Sequence, residues 1–212
     1  MEVINLTLER LKDAMFIRTI KEILDNDQLI VYPTDTLYGL GANPYSAVSI
    51  DKLNSVKGRE SQQNISIAVP DIAGLKRVGE LDETTLQYCA KLLPGPITVI
   101  VRAGEGAPAP VVSNKSTIGV RMPDNVLSIE LLKLTGPLTV TSANRHGGSE
   151  PVDIPTAKAA LGSEVSMYLD CGPCKFKIPS TILDFSAGEP KILREGTISR
   201  EELEQRLNIQ VD

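Results

Sequence analysis

Tryptophan is missing from this chain, histidine occurs once, as His146, and the only other rings are three phenylalanines and five tyrosines. So few rings leave little from which to build a base-stacking surface for nucleic acid. A Ser-His-Asp triad or a multi-histidine metal centre would hang on His146 alone. Basic excess is also missing. The net charge of −5 argues against a surface built mainly for nucleic acid, yet it leaves room for a small basic pocket that takes a phosphorylated ligand. No apolar run approaches the roughly 20 residues that span a bilayer. The start, Met1-Glu2-Val3-Ile4-Asn5, has no basic region ahead of an apolar block, so no signal peptide and no membrane are expected, and the cytoplasm is the expected location. Neither GxxxxGK[ST] nor GxGxxG occurs, which sets aside the common nucleotide-binding loops.

Cysteine is scarce as well, with three in 212 residues. Cys171-Gly172-Pro173-Cys174 has the spacing of a redox CxxC. Such a motif needs its first sulfur at a helix N-terminus, where the dipole lowers the thiol pKa. Here Lys175-Phe176-Lys177-Ile178-Pro179 follows, with no helical period. A zinc site would need a second ligand pair, and Cys89 with His146 is a poor one. The pair reads as a turn with incidental cysteines, a redox role being the minor alternative.

What is present is ordinary for a soluble globular protein: 42% apolar and 23% charged residues, enough for a sizeable core. Helical spacing predicts a helix over Ala14–Asp25, with Phe16, Ile20, Ile23 and Leu24 on one face. Ser46 is a good N-cap for a helix over Ala47–Val56, with Val48, Ile50, Leu53 and Val56 mostly inward and Gly58 as its C-terminal break. Further helices are expected over Ile72–Val78, from Asp82 to Leu93 with Leu86, Cys89, Ala90 and Leu93 on a face, from Pro123-Asp124 to Leu134, over Thr156–Leu161, and after the Ser199/Glu202 capping box. Strands are expected at Leu29–Tyr32, Ile65–Val69, Ile97–Val101, Thr117–Arg121, Leu138–Thr141 and Val165–Asp170, with a closing pair at Thr181–Asp184 and Lys191–Leu193. Glu60–Asn64 is a polar loop, and Ala103–Ser113 an irregular one. With no repeat or linker, the chain reads as one α/β domain over residues 1–212, built on a mixed sheet with flanking helices.

The chain is organised around Leu29-Ile30-Val31-Tyr32-Pro33-Thr34-Asp35-Thr36-Leu37-Tyr38-Gly39-Leu40-Gly41. Four β-formers make a strand, and Pro33 stops it because it has no N–H for a ladder. Short polar side chains and glycines follow. They form either a tight turn or the wall of a site. Other ends of elements carry similar groups: Lys57 and Arg59 after a helix, Arg121 at one strand end, Ser142 and Asn144 at another, then Ser180, Thr181 and Arg194. Cations with hydroxyl and amide donors suit an anionic ligand. The residues alone therefore indicate an α/β protein that binds a phosphorylated small molecule.

Taken together, Tyr32–Gly41, Lys57-x-Arg59, Pro94-Gly95-Pro96-Ile97-Thr98, Gly119-Val120-Arg121-Met122-Pro123, Ser142-Ala143-Asn144, Pro179-Ser180-Thr181-Ile182 and Leu193-Arg194-Glu195-Gly196 resemble the YrdC/Sua5 family of L-threonylcarbamoyladenylate synthases, in order over about residues 10 to 200. The resemblance implies an α/β domain with a twisted mixed sheet around a large concave cleft, in the short form without the Sua5 C-terminal domain. It implies a nucleotidyltransferase that turns L-threonine, bicarbonate (or CO2) and ATP with Mg²⁺ into threonylcarbamoyl-AMP and pyrophosphate. Mg²⁺ would come with the ATP phosphates rather than on protein ligands. The product would supply the N6-threonylcarbamoyl group for adenosine 37 of tRNA, through a downstream transfer complex. By the same resemblance Lys57, Arg59, Ser142 and Asn144 surround the phosphates and the reacting centre. Arg121 holds the threonine carboxylate, Thr34, Thr36 and Ser180 belong to the threonine pocket, and Gln63, Thr117 and Arg194 join Arg59, Ser142 and Asn144 as ATP contacts. A carbamate attacking a phosphate needs positioning and charge neutralisation more than a nucleophilic side chain, which suits a chain so poor in histidine.

The chain departs from the family pattern in places. Glu60-Ser61-Gln62-Gln63 follows Arg59 where relatives often begin with Pro, and Ala68 stands where some carry histidine. Arg145-His146-Gly147-Gly148 replaces a Ser-Gly pair after Ser-x-Asn. Two alternatives remain beside the synthase: an RNA-binding module using the same cleft, disfavoured by charge and ring content, and a carbamoyl transferase acting on another substrate.

Overall fold

The computed structural model describes residues 2–58 and 65–211, and the statements below concern those residues. Arg59, Gln63 and the Glu60–Asn64 loop lie outside them. The strands are β1 (Glu2–Asn5), β2 (Ile30–Tyr32), β3 (Gly39–Gly41), β4 (Ser66–Ala68), β5 (Gly79–Glu80), β6 (Ile97–Ala103), β7 (Thr117–Arg121), β8 (Leu138–Thr139), β9 (Thr141–Ser142), β10 (Met167–Asp170), β11 (Thr181–Asp184) and β12 (Lys191–Arg194). The helices are α1 (Leu8–Leu11), α2 (Ala14–Asp25), α3 (Ala47–Lys57), α4 (Ile72–Val78), α5 (Glu83–Leu92), α6 (Val126–Thr135), α7 (Ile154–Leu161) and α8 (Arg200–Leu207).

The expected mixed sheet is two sheets. One runs β1-β10-β2-β3-β9, the other β12-β11-β6-β7-β4-β8. Both mix parallel pairs, such as β10/β2 and β11/β6, with antiparallel ones, such as β2/β3 and β6/β7. β5 pairs with Arg102 and Ala103 on β6, on the edge that β11 leaves free. The run from Leu138 to Ser142 passes from the second sheet to the first. β8 pairs with β4, and β9 with β3. At the crossing the Thr139 hydroxyl accepts from the Ala42 N–H at 2.8 Å and donates to the Leu40 carbonyl at 2.9 Å. One side chain thus satisfies backbone groups that the change of sheet would leave orphaned.

Alternation along β2 divides the core. Leu29 and Val31 join the larger cluster, with Leu40, Leu53, Ile67 and Val99. Ile30 and Tyr32 point the other way, among Phe16, Ile20, Leu131 and Leu132 of α2 and α6. A strand apolar on both faces is buried on both faces. Helix α2 starts where Asp13 Oδ1 accepts from the N–H groups of Met15 and Phe16. It buries Phe16, Ile17, Ile20 and Leu24, while Ile23 is only partly covered. Ser46 caps α3, and Gly58 ends it at φ +63°, a left-handed conformation that glycine adopts without strain. Val48 on α3 is 62% exposed and Ala90 on α5 is exposed. Both face away from the sheets, against the inward positions expected of them. β3 was not expected. Its glycines allow the close β2/β3 pairing, since a Cβ on Gly41 would meet Ile30 and Tyr32 side chains at 3.0 Å.

Candidate functional site

A cavity of about 220 Å³ opens where the run from Leu138 to Ser142 changes sheets, with Val140, Thr141 and Ser142 on its wall. Register builds its floor. Arg121 on β7 pairs with Thr98 on β6, Thr98 with Ile182 on β11, and Ile182 with Arg194 on β12. Directly opposed residues share a sheet face, and all four line the cavity. Ser180 lies just before β11. Its hydroxyl is 2.9 Å from that of Thr98, and its carbonyl accepts two bonds from the Arg194 guanidinium, at 2.7 and 3.2 Å. Desolvation lowers the Arg194 pKa, opposed by Glu150 and aided by Arg121.

The stretch after β2 forms another wall. Thr34 donates to the Leu37 carbonyl at 2.6 Å and accepts from the Thr36 N–H at 3.2 Å, a hydroxyl turn. The main-chain carbonyls of Asp35 and Thr36 accept from Phe176 and Lys177. Thr36 to Gly39 face the cavity, while Thr34 sits behind Thr36, its hydroxyl 3.2 Å from that of Thr36. Asp35 is wholly buried and forms an ion pair with Arg121. Among the described residues its Oδ2 and the Arg121 Nε have no hydrogen-bond partner.

The KxR and SxN motifs meet beside the cavity. The buried Lys57 ammonium donates to the Ser142 carbonyl at 2.5 Å and the Asn144 carbonyl at 2.9 Å. Ser142 Oγ donates to Asn144 Oδ1 at 2.7 Å, and the Asn144 amide nitrogen donates to the carbonyls of Gly148 and Ser149. In return Arg145 and the His146 N–H bond the last carbonyls of α3, on Val56 and Lys57. The loop after β9 thereby caps the C-terminus of α3. His146 contributes its main-chain N–H to this junction.

Of the site residues expected from sequence, Thr36, Arg121, Ser142, Ser180 and Arg194 line one cavity, with Lys57 and Asn144 bonded to its rim. Thr117 does not line it. Thr117 begins the strand that Arg121 ends, roughly 13 Å away at strand rise, and its hydroxyl is 2.6 Å from that of Ser113. Arg59 and Gln63 are outside the described residues. Sequence reasoning missed Tyr38, Thr98 and Glu150 as lining residues, and it gave Asp35 only a turn role. The signal for Asp35 was present: a lone charge between two threonines after a buried strand.

The cysteines behave as the turn reading expects. Cys171 is exposed and Cys174 buried, and burial pushes the Cys174 thiol up to about 12. Cys89 is a core residue, its thiol likewise raised to about 12 by burial. Among the described residues no group of three His, Cys, Asp or Glu side chains is placed to hold a metal. No helix there is long and apolar enough to cross a membrane.

Comparison with known proteins places the chain in a family. The Sua5/YciO/YrdC model, described as "Telomere recombination", matches residues 22–196. A Mycobacterium tuberculosis protein provisionally named threonylcarbamoyl-AMP synthase is 34% identical over 185 residues, 86% of this chain and 84% of that one. The Vibrio vulnificus threonylcarbamoyl-AMP synthase is 30% identical over 184 residues, 85% of this chain and 98% of that one. The crystal structure of Pyrococcus abyssi Sua5 complexed with L-threonine superposes with a TM-score of 0.90 at 25% identity. It covers 100% of this chain, which spans only 63% of the P. abyssi chain.

Proposed function

The chain belongs to the Sua5/YciO/YrdC family, and we propose on that footing that it is an L-threonylcarbamoyladenylate synthase. One observation carries the reading. A buried arginine and a row of hydroxyls line a cavity whose rim is the Lys57–Ser142–Asn144 junction. An amino-acid carboxylate would take the Arg121 fork. The Thr36, Thr98 and Ser180 hydroxyls offer partners for a substrate hydroxyl, and Val140 and Ile182 offer apolar surface for a methyl. The L-threonine complex of the P. abyssi relative supports this choice of substrate.

The chemistry follows from these groups. The nitrogen of the free substrate amine bonds the carbon of CO2 and gives up one proton to solvent, leaving a carbamate. A carbamate oxygen then bonds the α-phosphorus of ATP, the bond to the bridging oxygen breaks, and pyrophosphate leaves. Negative charge builds up around the phosphorus, next to the rim. There Lys57 holds the loop carrying Ser142 and Asn144. Donors held in this way act by positioning and by stabilising charge. Mg²⁺ would arrive on the nucleotide and neutralise phosphate charge, and the described residues offer it no carboxylate cluster. Threonylcarbamoyl-AMP would pass to a separate tRNA-modifying complex in the cytoplasm.

Pyrophosphate release from Mg-ATP tests the proposal. Release should require L-threonine and bicarbonate together and fall to background without either. Turnover indifferent to threonine would overturn the reading. Salt-sensitive RNA binding without an ATP site would favour the RNA module instead.

A further inference from the structure

We propose that Asp35 is a positioning residue, which holds the Arg121 guanidinium in the orientation that takes the substrate carboxylate. The inference rests on the threonine reading of the cavity. Arg121 lines the cavity and Asp35 does not, so Asp35 can act on a ligand only through Arg121. Their ion pair is buried, with side-chain exposures of 6% for Arg121 and 0% for Asp35.

A purely structural pair at this depth would be expected to satisfy its donors and acceptors, usually with two parallel bonds. This one joins Arg121 Nη2 to Asp35 Oδ1 only. Among the described residues nothing partners the buried Arg121 Nε and Asp35 Oδ2. The geometry thus forgoes the second bond of a fork. What it keeps is a single anchor on one nitrogen, which holds that end of the guanidinium against the cavity wall. Asp35 cannot easily follow a moving arginine. Its own carbonyl accepts from Phe176 at 3.0 Å, and the Thr34 hydroxyl turn closes around it.

A carboxylate entering the cavity would share one guanidinium with Asp35. The arginine then needs no reorganisation on binding, which is how a preorganised group gains affinity. Removing the Asp35 charge should cost threonine recognition and leave ATP recognition and the chemical step alone.

The test compares wild type, Asp35→Asn, Arg121→Gln and the double variant by pyrophosphate release and by calorimetry with L-threonine. Threonine-dependent release by the wild type is measured first, so that failure of the synthase reading shows there and not in the variants. Asp35→Asn should raise the KM for threonine tenfold or more, with kcat and the KM for ATP within about threefold. In the Arg121→Gln background, Asp35→Asn should add no further loss, because its effect passes through the arginine. If Asp35→Asn alone fails to fold, Arg121→Gln is compared with the double variant, from which both charges are gone. A double variant equal to Arg121→Gln supports the proposal. A wild-type KM for threonine in a folded Asp35→Asn, or additive losses in the double variant, would overturn it.

Discussion

The Lys57 ammonium bonds Asn144 twice, at its main-chain carbonyl (2.9 Å) and at its side-chain oxygen (3.3 Å), across 87 positions of sequence. The end of α3 and the loop after β9 are therefore one unit. A charge buried among carbonyl oxygens is solvated by protein dipoles in place of water. It also orders the Ser142 and Asn144 side chains beside the cavity.

Replacing Lys57 with Met removes that ammonium at nearly constant length. Pyrophosphate release should fall by about 10²-fold or more, because the loop that carries Ser142 and Asn144 loses its anchor beside the developing charge. Threonine affinity, measured by calorimetry, should stay within about threefold of wild type. Unchanged turnover would show that Lys57 serves structure alone.

The hydroxyl pair Thr98–Ser180 is buried, so Ser180→Ala leaves the Thr98 hydroxyl short of a partner. The expected cost is about 1 kcal/mol in chemical denaturation. The KM for threonine should rise with it, and Thr98→Val should act in the same direction. A change in stability with no change in KM would place the pair outside the substrate pocket.

Gly196 approaches the cavity from behind. A Cβ there would lie 2.4 Å from the Pro179 carbonyl oxygen and 2.6 Å from the Ser180 carbonyl carbon, both backbone. Gly196→Ala must therefore displace the chain that carries Ser180. A loss of about 1–3 kcal/mol in stability is expected, together with weaker threonine binding. Gly147, at φ +73° with open space around the position of a Cβ, is a useful contrast. Gly147→Ala should cost strain without moving the cavity wall.

Acid sensitivity follows from the helix caps Asp82 and Asp153 and from Asp27, which accepts from the α3 cap Ser46. Hydrogen bonds from Ser46 and Ser49 lower the Asp27 pKa, and those from Thr85 and Thr156 lower Asp82 and Asp153. A depressed carboxylate stabilises the fold above its unfolded pKa of about 3.9. That contribution is lost as pH falls through the folded value. Thermal melts should thus decline with acid below about pH 4. Asp82→Asn or Asp153→Asn should lower stability at pH 7 and lose that deficit at the acid end. A deficit independent of pH would assign the effect to cap geometry and not to charge.

Accessibility orders the thiols. At pH 8 an alkylating reagent should label Cys171 in the native protein. Cys89 and Cys174, buried and with thiols raised to about 12, should react only after denaturation. Mass spectrometry of labelled peptides reads this directly, and early labelling of Cys174 would show that the 171–177 segment opens.

Local signals carried most of the elements. The helix over Ala14–Asp25 and the strand over Thr117–Arg121 lie where periodicity puts them, and Ser46, Asp82 and Ser199 cap as their side chains suggest. β1 was not legible, because Glu2–Asn5 is exposed except for the half-buried Ile4, and among the described residues it pairs only with β10, 165 residues away. β3 was hidden because glycine has low strand propensity and only the partner strand demands it. Asp35 read as a turn residue because its partner Arg121 is 86 positions distant.

By itself the sequence determined the chemical inventory: cations, hydroxyls and amides at the ends of strands, almost no histidine, and motif order enough to recognise a family. Those properties depend on residue type and short spacing, which side-chain chemistry and backbone propensity dictate locally. Only the tertiary structure decided that the mixed sheet is two sheets, that Arg121, Thr98, Ile182 and Arg194 form one row, and that Asp35 stands behind the arginine. The physical reason is register. Which residues face one another across strands is set by long-range pairing, and a slip of one residue would send this row to the opposite face of its sheet.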